Sequence, residues 1–339
     1  MTNTRHCAII CMYGHMDEGG VVKKVVLSFG MMVCDTLLRP VDRDVLSRDC
    51  TMIEKPIQAC GGDALNTAIA LSRLGIPVTM AGRVGDDLNG RFILDQCRKL
   101  GIDVSHVVTD PVYATASSFA LIEENGERHF LSDVSIFDQV DDRDLPEKAI
   151  ERADMVYIGS ACSFSRMNQG GLARLLRRAK AHGRMTVMDA AFNQRSVCNC
   201  WMNMFKEVLP YTDVFFPSYE EASAITGCRE IPEISSALKP MGLTYFGIKL
   251  GSKGCYVTDF SEERYIECPK GIRAVDTTGA GDSFMAGLMA GLVSGLSFFE
   301  SAGFGCSVAS HSVQHMGAAG GILPYEDELY LYNHHKNQK

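Results

Sequence analysis

From Gly62 to Asp259 the chain alternates short β-branched runs with longer stretches of helical period, and this rhythm restricts the available folds more than any other feature. GDALNTAIALSRLG (62–75), PVTMAGRVG (77–85), DLNGRFILDQCRKLG (87–101) and IDVSHVV (102–108) are its first beats. It resumes with Met155–Gly159, a helix near Met167–His182, Met185–Ala190, Val214–Phe216, a helix after Ser218, Tyr245–Leu250 and Tyr256–Asp259. Strands alternating with helices predict a parallel sheet covered on both faces. VVLSFG at Val25–Gly30 reads as a strand buried on both sides. Two stretches break the rhythm by alternating apolar with polar residues: the neighbourhood of Cys50 to Cys60, and Thr115–Glu123 followed by Arg128–Leu131 across the Asn125-Gly126 turn. They predict half-exposed antiparallel strands, a small β appendage over a cleft at the sheet edge. Two helices follow, Gly281–Leu296 and about Phe298–Gln314, and then a polar tail expected to fray.

Charge narrows the partners. Lys plus Arg number 33 against 41 Asp plus Glu, a formal charge of −8, which argues against nucleic acid and anionic membranes. A small anion can still bind, because a few backbone N–H groups suffice to hold a phosphate. The longest apolar run, around Phe284 to Leu296, is too short to span a bilayer, and the N-terminal residues lack a secretory signal pattern. Of thirteen cysteines only Cys198 and Cys200 lie close, with no C-x-x-C pair. Neither a zinc module nor a disulfide framework is supported; inert reduced thiols and a cytoplasmic setting are expected, with none of the thiols at a contact position.

No G-x-x-x-x-G-K-[ST] and no G-x-G-x-x-G after the first strand is present, which disfavours a P-loop enzyme and an ordinary dinucleotide-binding domain. Asp276-Thr277-Thr278-Gly279-Ala280-Gly281-Asp282-Ser283 instead runs a small-residue turn directly into a long helix. Small residues let a ligand approach the backbone, and the first N–H groups of a helix have no intrahelical acceptor. With the helix dipole behind it, such a turn is an anion hole. Asp282 at its mouth reads either as a helix cap or as a reactive carboxylate.

This segment closely resembles the second sequence pattern of the PfkB (ribokinase-like) carbohydrate kinases, D-T-x-G-A-G-D. The first pattern of that family is matched by Gly61-Gly62-Asp63-Ala64-Leu65-Asn66, leading through Leu74-Gly75 to Gly82-Arg83-Val84-Gly85-Asp86-Asp87 and Gly90. The resemblance runs from about Val25 to Pro324. It implies an α/β fold, a ribokinase-like three-layer α/β/α sandwich with a small β-sheet lid. Residues 1–24 would be an N-terminal extension, 25–325 the kinase domain with lid strands from about 36–60 and 113–132, and 326–339 a C-terminal tail.

The resemblance also implies roles. Asp282 would be the catalytic base, with Gly279, Ala280 and Gly281 as the anion hole. Asp35, Gly61, Gly62, Asp63, Asn66 and Asn193 would meet the sugar. Lys249, Gly251, Ser252 and Gly254 would border ATP, although the same residues also read as a plain hairpin turn. Asp86 and Asp87 read best as caps of the next helix. Glu221 occupies the family's Mg2+-associated position, meeting the metal through water, but Ser218 stands where the family usually has Asn. Asp276 and Thr278 would offer backbone carbonyls to a monovalent cation, K+. The implied activity is an ATP-dependent sugar kinase acting on a hydroxymethyl group of a pentose, a ketohexose such as fructose, or a keto-sugar acid. A nucleoside kinase of the same fold and a non-catalytic sugar-binding sensor are the rivals. ATP, Mg2+ and K+ are the expected cofactors, and the lid strands offer an edge for a homodimer.

Overall fold

The computed structural model describes residues 15–16, 22–192 and 201–336. In chain order the strands are β1 (His15–Met16), β2 (Val22–Lys23), β3 (Val26–Phe29), β4 (Val33–Leu38), β5 (Ile57–Gly61), β6 (Val78–Gly85), β7 (Asp103–Asp110), β8 (Ser117–Ile122), β9 (Arg128–Asp133), β10 (Met155–Ala161), β11 (Met185–Ala190), β12 (Val214–Phe215), β13 (Tyr245–Lys249), β14 (Cys255–Thr258) and β15 (Glu263–Ile266). The helices are α1 (Asp63–Arg73), α2 (Leu88–Lys99), α3 (Glu147–Arg152), α4 (Leu172–Ala181), α5 (Trp201–Val208), α6 (Tyr219–Thr226), α7 (Ile231–Leu238), α8 (Ala280–Val293), α9 (Phe298–Ser312) and α10 (Tyr325–Lys336).

Among the described residues, nine strands form one sheet in the order β15-β14-β13-β12-β11-β10-β3-β6-β7. It is parallel from β13 to β7, and β14 and β15 return antiparallel at one end. The period of two along each strand divides the core. Leu27, Phe29, Val156, Ile158 and Met188 pack with α4 and α5, whereas Val26, Met155, Tyr157 and Val187 pack with α1, α8 and α9. Both faces are therefore covered, which makes three layers.

Helices α8 and α9 pack backbone to backbone. A Cβ on Gly287 would lie 2.9 Å from the Gly305 Cα, and one on Gly291 would lie 2.8 Å from Ser301 Oγ. Ser297 and Glu300 start α9 with a reciprocal capping box. Asp87 caps α2, its carboxylate accepting from the Gly90 N–H at 2.7 Å, while Asp86 pairs with Arg91 on the surface.

Four strands form a second sheet in the order β5-β4-β8-β9. Three sequence expectations are corrected here. The 36–60 region supplies strand only at its ends, β4 and β5; between them lies one short 3-10 turn at Val45–Ser47. Leu46 and Met52 there are 93% and 86% exposed, so the intervening alternation had no face to bury. The antiparallel pairing expected of these strands holds, β5 with β4 and β8 with β9 across Asn125-Gly126, while β4 and β8 join the two pairs in parallel after the long excursion through β5, α1, β6, α2 and β7. Second, the tail folds into α10, whose Tyr325, Leu329 and Tyr332 pack on the α9 side. Glu328 is fully buried there, 2.7 Å from His311 Nδ1 and accepting the Leu323 N–H at 3.0 Å. Third, the helix expected from Met167 is broken at Gly170, with φ 95°, and is regular only from Leu172. Among the described residues, no helix is long and apolar enough to cross a membrane.

Candidate active site

The site is assembled at the carboxyl ends of the central parallel strands, where open α/β sheets leave a crevice. Two helices aim their first turns at it. Helix α8 begins after Gly279, which is left-handed with φ 68°, and any Cβ there would collide with the Ala318 carbonyl. Glycine is required on both counts. Ala280 and Gly281 then open the first turn with little side chain over the backbone, but the Ala280 N–H donates to the Thr277 carbonyl at 3.2 Å, so against expectation it is already engaged within the turn. Asp282 follows immediately and accepts from Asn66 Nδ2 at 2.9 Å. Thr67 Oγ1 donates to the Asp282 carbonyl at 3.4 Å, which ties the two helices together.

Helix α1 supplies the second half. Gly62, with φ 92°, precedes it, and a Cβ there would sit 2.5 Å from the Met31 carbonyl. Asp63 begins the helix, and its Oδ1 accepts from the Ala64 N–H at 2.6 Å and from the Ser160 hydroxyl. Asp63 Oδ2 and Asn66 Oδ1 are shut away from solvent with no hydrogen-bond partner among the described residues. Burial pushes the Asp63 carboxyl up to about 7, and the nearby Asp282 charge adds to the rise. Burial also raises Asp282; the Asn66 hydrogen bond and the Lys249 charge pull it down, and Glu221 pushes it up. Asp63 thus feels the Asp282 charge across the α1–α8 junction.

Lys249 ends β13 and forms a buried ion pair with Asp189 at the end of β11. Burial opposes its charge, but the Asp189 and Glu221 carboxylates outweigh that, holding the ammonium above its usual range. Its Nζ lies 3.5 Å from where a Cβ on Gly281 would be, so this lysine sits beside the Gly279–Gly281 turn. Glu221 and Ser218 form a reciprocal capping box at α6: Glu221 Oε2 accepts the Ser218 N–H at 2.7 Å, and Ser218 Oγ accepts the Glu221 N–H at 3.3 Å. The serine that replaces asparagine is therefore occupied as a helix cap. Glu221 still contributes negative charge toward Asp282 and Lys249, a hard-oxygen donor of the kind Mg2+ takes.

Next to this cluster lies a cavity of about 370 Å³. Lys249, Gly251, Ser252 and Gly254 line one side, Thr277, Ala280 and Gly281 another, and Ile272, Ala274, Phe284, Ala309 and Val313 give an apolar wall. A flat apolar ring with an anionic tail directed at Gly281 suits this lining. Cys268 and Cys306 also line it, contrary to the expectation that no thiol stands at a contact position.

Asp35 lies in the second sheet on β4, across from β5, and its carboxylate occupies the space that a side chain at Gly61 would need. Burial pushes it up to about 6. Gly61 and Gly62 link this strand pair directly to Asp63, so Asp35, Gly61, Gly62, Asp63, Asn66 and Asp282 belong to one neighbourhood. Asn193 lies outside the described residues. Asp276 is buried at the base of the anion turn, where its Oδ1 accepts the Thr278 N–H and its Oδ2 the Gly317 N–H, each at 3.0 Å. Burial works against its ionisation, yet these donors, together with the Thr278 hydroxyl and Arg128, hold it down at about 2. Arg128 and Asp189 are site residues that sequence reasoning did not assign. Asp189 carried a usable signal, standing at a strand's carboxyl end; Arg128 carried none, being 148 residues from its partner Asp276.

Comparison with known proteins gives one family. Residues 26–324 match the description "pfkB family carbohydrate kinase". The chain is 27% identical over 286 residues to a ribokinase of Haemophilus influenzae, covering 81% of this chain and 88% of that one. It is 26% identical over 279 residues to a 2-dehydro-3-deoxygluconokinase of Bacillus subtilis, covering 79% and 84%. In fold it resembles the structure of a fructokinase from Xylella fastidiosa with bound ATP, with a TM-score of 0.78, 19% identity, and 93% and 99% of the two chains covered.

Proposed function

The chain belongs to the pfkB family of carbohydrate kinases, and on that premise we propose that it transfers the γ-phosphate of ATP to a hydroxymethyl group of a sugar, with Asp282 as the base. The observation that carries this reading is the placement of Asp282: half-buried, oriented by Asn66, and one residue beyond the Gly279–Gly281 turn. ATP takes the cavity bordered by Lys249, Gly251, Ser252 and Gly254, its adenine against the Ile272–Val313 wall and its phosphates toward Gly281. The sugar lies between Asp35, Gly61, Gly62, Asp63 and Asn66, with Asn193 a further contact. Short carboxylates and an amide match hydroxyl groups well, and the glycines let the ring lie on the backbone.

Asp282 accepts the hydroxyl proton as the sugar oxygen forms its bond to the γ-phosphorus and the bond to the β-bridging oxygen breaks, releasing ADP. The N–H groups of Gly279 and Gly281 hold the charge that spreads over the transferring oxygens, while that of Ala280 braces the turn on the Thr277 carbonyl. Mg2+, when bound, neutralises the phosphates, and Glu221 would orient it through water. K+ at the Asp276 and Thr278 carbonyls rests on the resemblance; rates in potassium, sodium and tetramethylammonium salts test it.

The domain reading takes 25–325 as the kinase domain and the four-stranded sheet as a lid that excludes water from the sugar. Phe119, Phe130 and Leu131 expose 42%, 59% and 60% of their surface on that sheet, which supports a homodimer joined through the lid. A cytoplasmic location accords with nine described cysteines, all of them thiols. The test is a coupled assay of ADP release across pentoses, ketohexoses, keto-sugar acids and nucleosides. Turnover on a sugar supports the reading, turnover on nucleosides alone transfers it to the nucleoside rival, and tight sugar binding without ADP release makes the chain a sensor.

A further inference from the structure

Arg128, the first residue of β9, reaches out of the second sheet to the base of the anion turn. Its Nη2 donates to Asp276 Oδ1 at 3.0 Å and its Nη1 to the Thr278 hydroxyl. The Asp276 carboxylate is 5% exposed and already receives the N–H groups of Thr278 and Gly317, so it organises both chain segments that flank Gly279. Gly279 itself rests against Ala318. Displacing Asp276 would therefore shift the turn whose N–H groups face the transferring phosphoryl group.

Charge points the same way. A buried carboxylate three residues before Gly279 repels an incoming phosphate unless a cation neutralises it. Lys249 cannot serve, because it is committed to Asp189 on the other side of the turn. Arg128 is the cation the structure places on Asp276, and its planar fork satisfies the carboxylate and the Thr278 hydroxyl together. It is carried by a sheet that otherwise belongs to the sugar side of the site through Asp35 and Gly61.

We propose that Arg128 is a positioning residue that couples seating of the four-stranded sheet over the sugar to assembly and neutralisation of the Asp276–Gly281 anion turn. This rests on the kinase reading above. Arg128 touches neither reactant; it acts through Asp276 and Thr278. With the sheet lifted, Asp276 is unneutralised and the turn is a poor phosphate site. With the sheet seated, the guanidinium completes it. Phosphoryl transfer to water is thereby disfavoured, because the anion turn is fully formed only when the sugar compartment is covered.

The experiment compares the wild-type protein with Arg128→Ala and Arg128→Lys in two arms. In the kinetic arm, using the best sugar from the panel, Arg128→Ala should lower kcat by about tenfold to a hundredfold, the scale of a misplaced catalytic turn, with a much smaller change in sugar KM. Added guanidinium chloride should raise turnover of Arg128→Ala while leaving the wild type unstimulated, and Arg128→Lys should recover only part of the rate. A purely structural role would give neither the rescue nor the split between kcat and KM. In the second arm, hydrogen exchange of segments 276–281 and 313–320 is followed with no sugar or ATP; Arg128→Ala should exchange faster in both. Wild-type kcat in Arg128→Ala, or unchanged exchange in those segments, would overturn the proposal. If the wild type releases no ADP with any sugar, the kinase reading fails on its own, and the exchange arm still decides whether Arg128 orders the turn.

Discussion

Replacing Asp63 by asparagine tests the electrostatics of the site through stability as well as through activity. Asp63 is shut in beside Asp282, and its carboxyl is pushed up to about 7, against about 3.9 in an unfolded chain. The sign follows from proton counting. Between these two values the folded protein holds a proton that the unfolded chain has lost, so wild-type stability falls as pH rises through that window and levels off above it. At about 1.36 kcal/mol per pKa unit, the three-unit gap corresponds to ~4 kcal/mol as an upper limit. The amide introduced by Asp63→Asn keeps a polar group opposite Ser160 Oγ and cannot ionise, so this slope disappears in the variant. Asp35, pushed up to about 6, contributes its own slope equally to both proteins and cancels in the difference. Thermal melts of both proteins from about pH 4.5 to 8.5 should give a difference in Tm that grows in the variant's favour with pH, by roughly 5–10 °C. The same variant should leave the acid limb of the kcat/KM profile nearly unmoved, because Asp63 holds its proton up to about 7 and so places no charge beside Asp282 on the acid side of that value. Parallel melting profiles across the whole range would refute the reasoning, since Asp63 would then ionise as freely in the folded protein as outside it.

Three further outcomes follow from named contacts. Lys249→Met leaves Asp189 buried without its counterion and should cost about 3–5 kcal/mol in urea unfolding, together with a rise in ATP KM; an unchanged unfolding midpoint would mean that the Asp189 pair is not an ionic one. Glu328→Ala removes the acceptor facing His311 and the Leu323 N–H and should lower stability by about 2–4 kcal/mol, which calorimetry would register as a lower Tm; wild-type melting would show that α10 is not docked. Iodoacetamide should inactivate the protein through Cys268 at the nucleotide cavity, with ATP slowing the labelling; equal labelling with and without ATP would place the nucleotide elsewhere.

The layered fold was legible because its strands and helices obey periods that a sequence displays directly. Val156 and Ile158 face one layer while Met155 and Tyr157 face the other, as a strand buried on both sides requires. Local chemistry was legible for the same reason: the Gly279 turn, the Asp87 cap and the Asp63 helix start are all written within a few residues. What escaped was set by contacts between distant segments. Tail residues Tyr325 and Tyr332 form a helix because Phe304 on α9 offers them an aromatic surface, a fact no local pattern contains. The neighbourhood of Cys50 to Cys60 alternates like a strand, yet only its end from Ile57 pairs, and Met52 found nothing to cover it. Lys249 was expected at the border of ATP, and its burial against Asp189 depends on where two strands end in space. Arg128 meets Asp276 only after both sheets are in place.

The proposed chemistry stands or falls with Asp282 taking the proton of the sugar hydroxyl while the adjoining turn holds the phosphoryl group. Single-turnover and steady-state ADP release by Asp282→Asn with the best sugar, set beside its ATP affinity by titration calorimetry, decides the matter. The amide keeps the shape of the carboxylate and can still meet Asn66, so the fold and the nucleotide cavity should be retained. Turnover should fall by about 10²–10⁴, the usual contribution of a positioned general base, with ATP affinity close to wild type. Turnover at the wild-type rate in Asp282→Asn would contradict the assignment of the base.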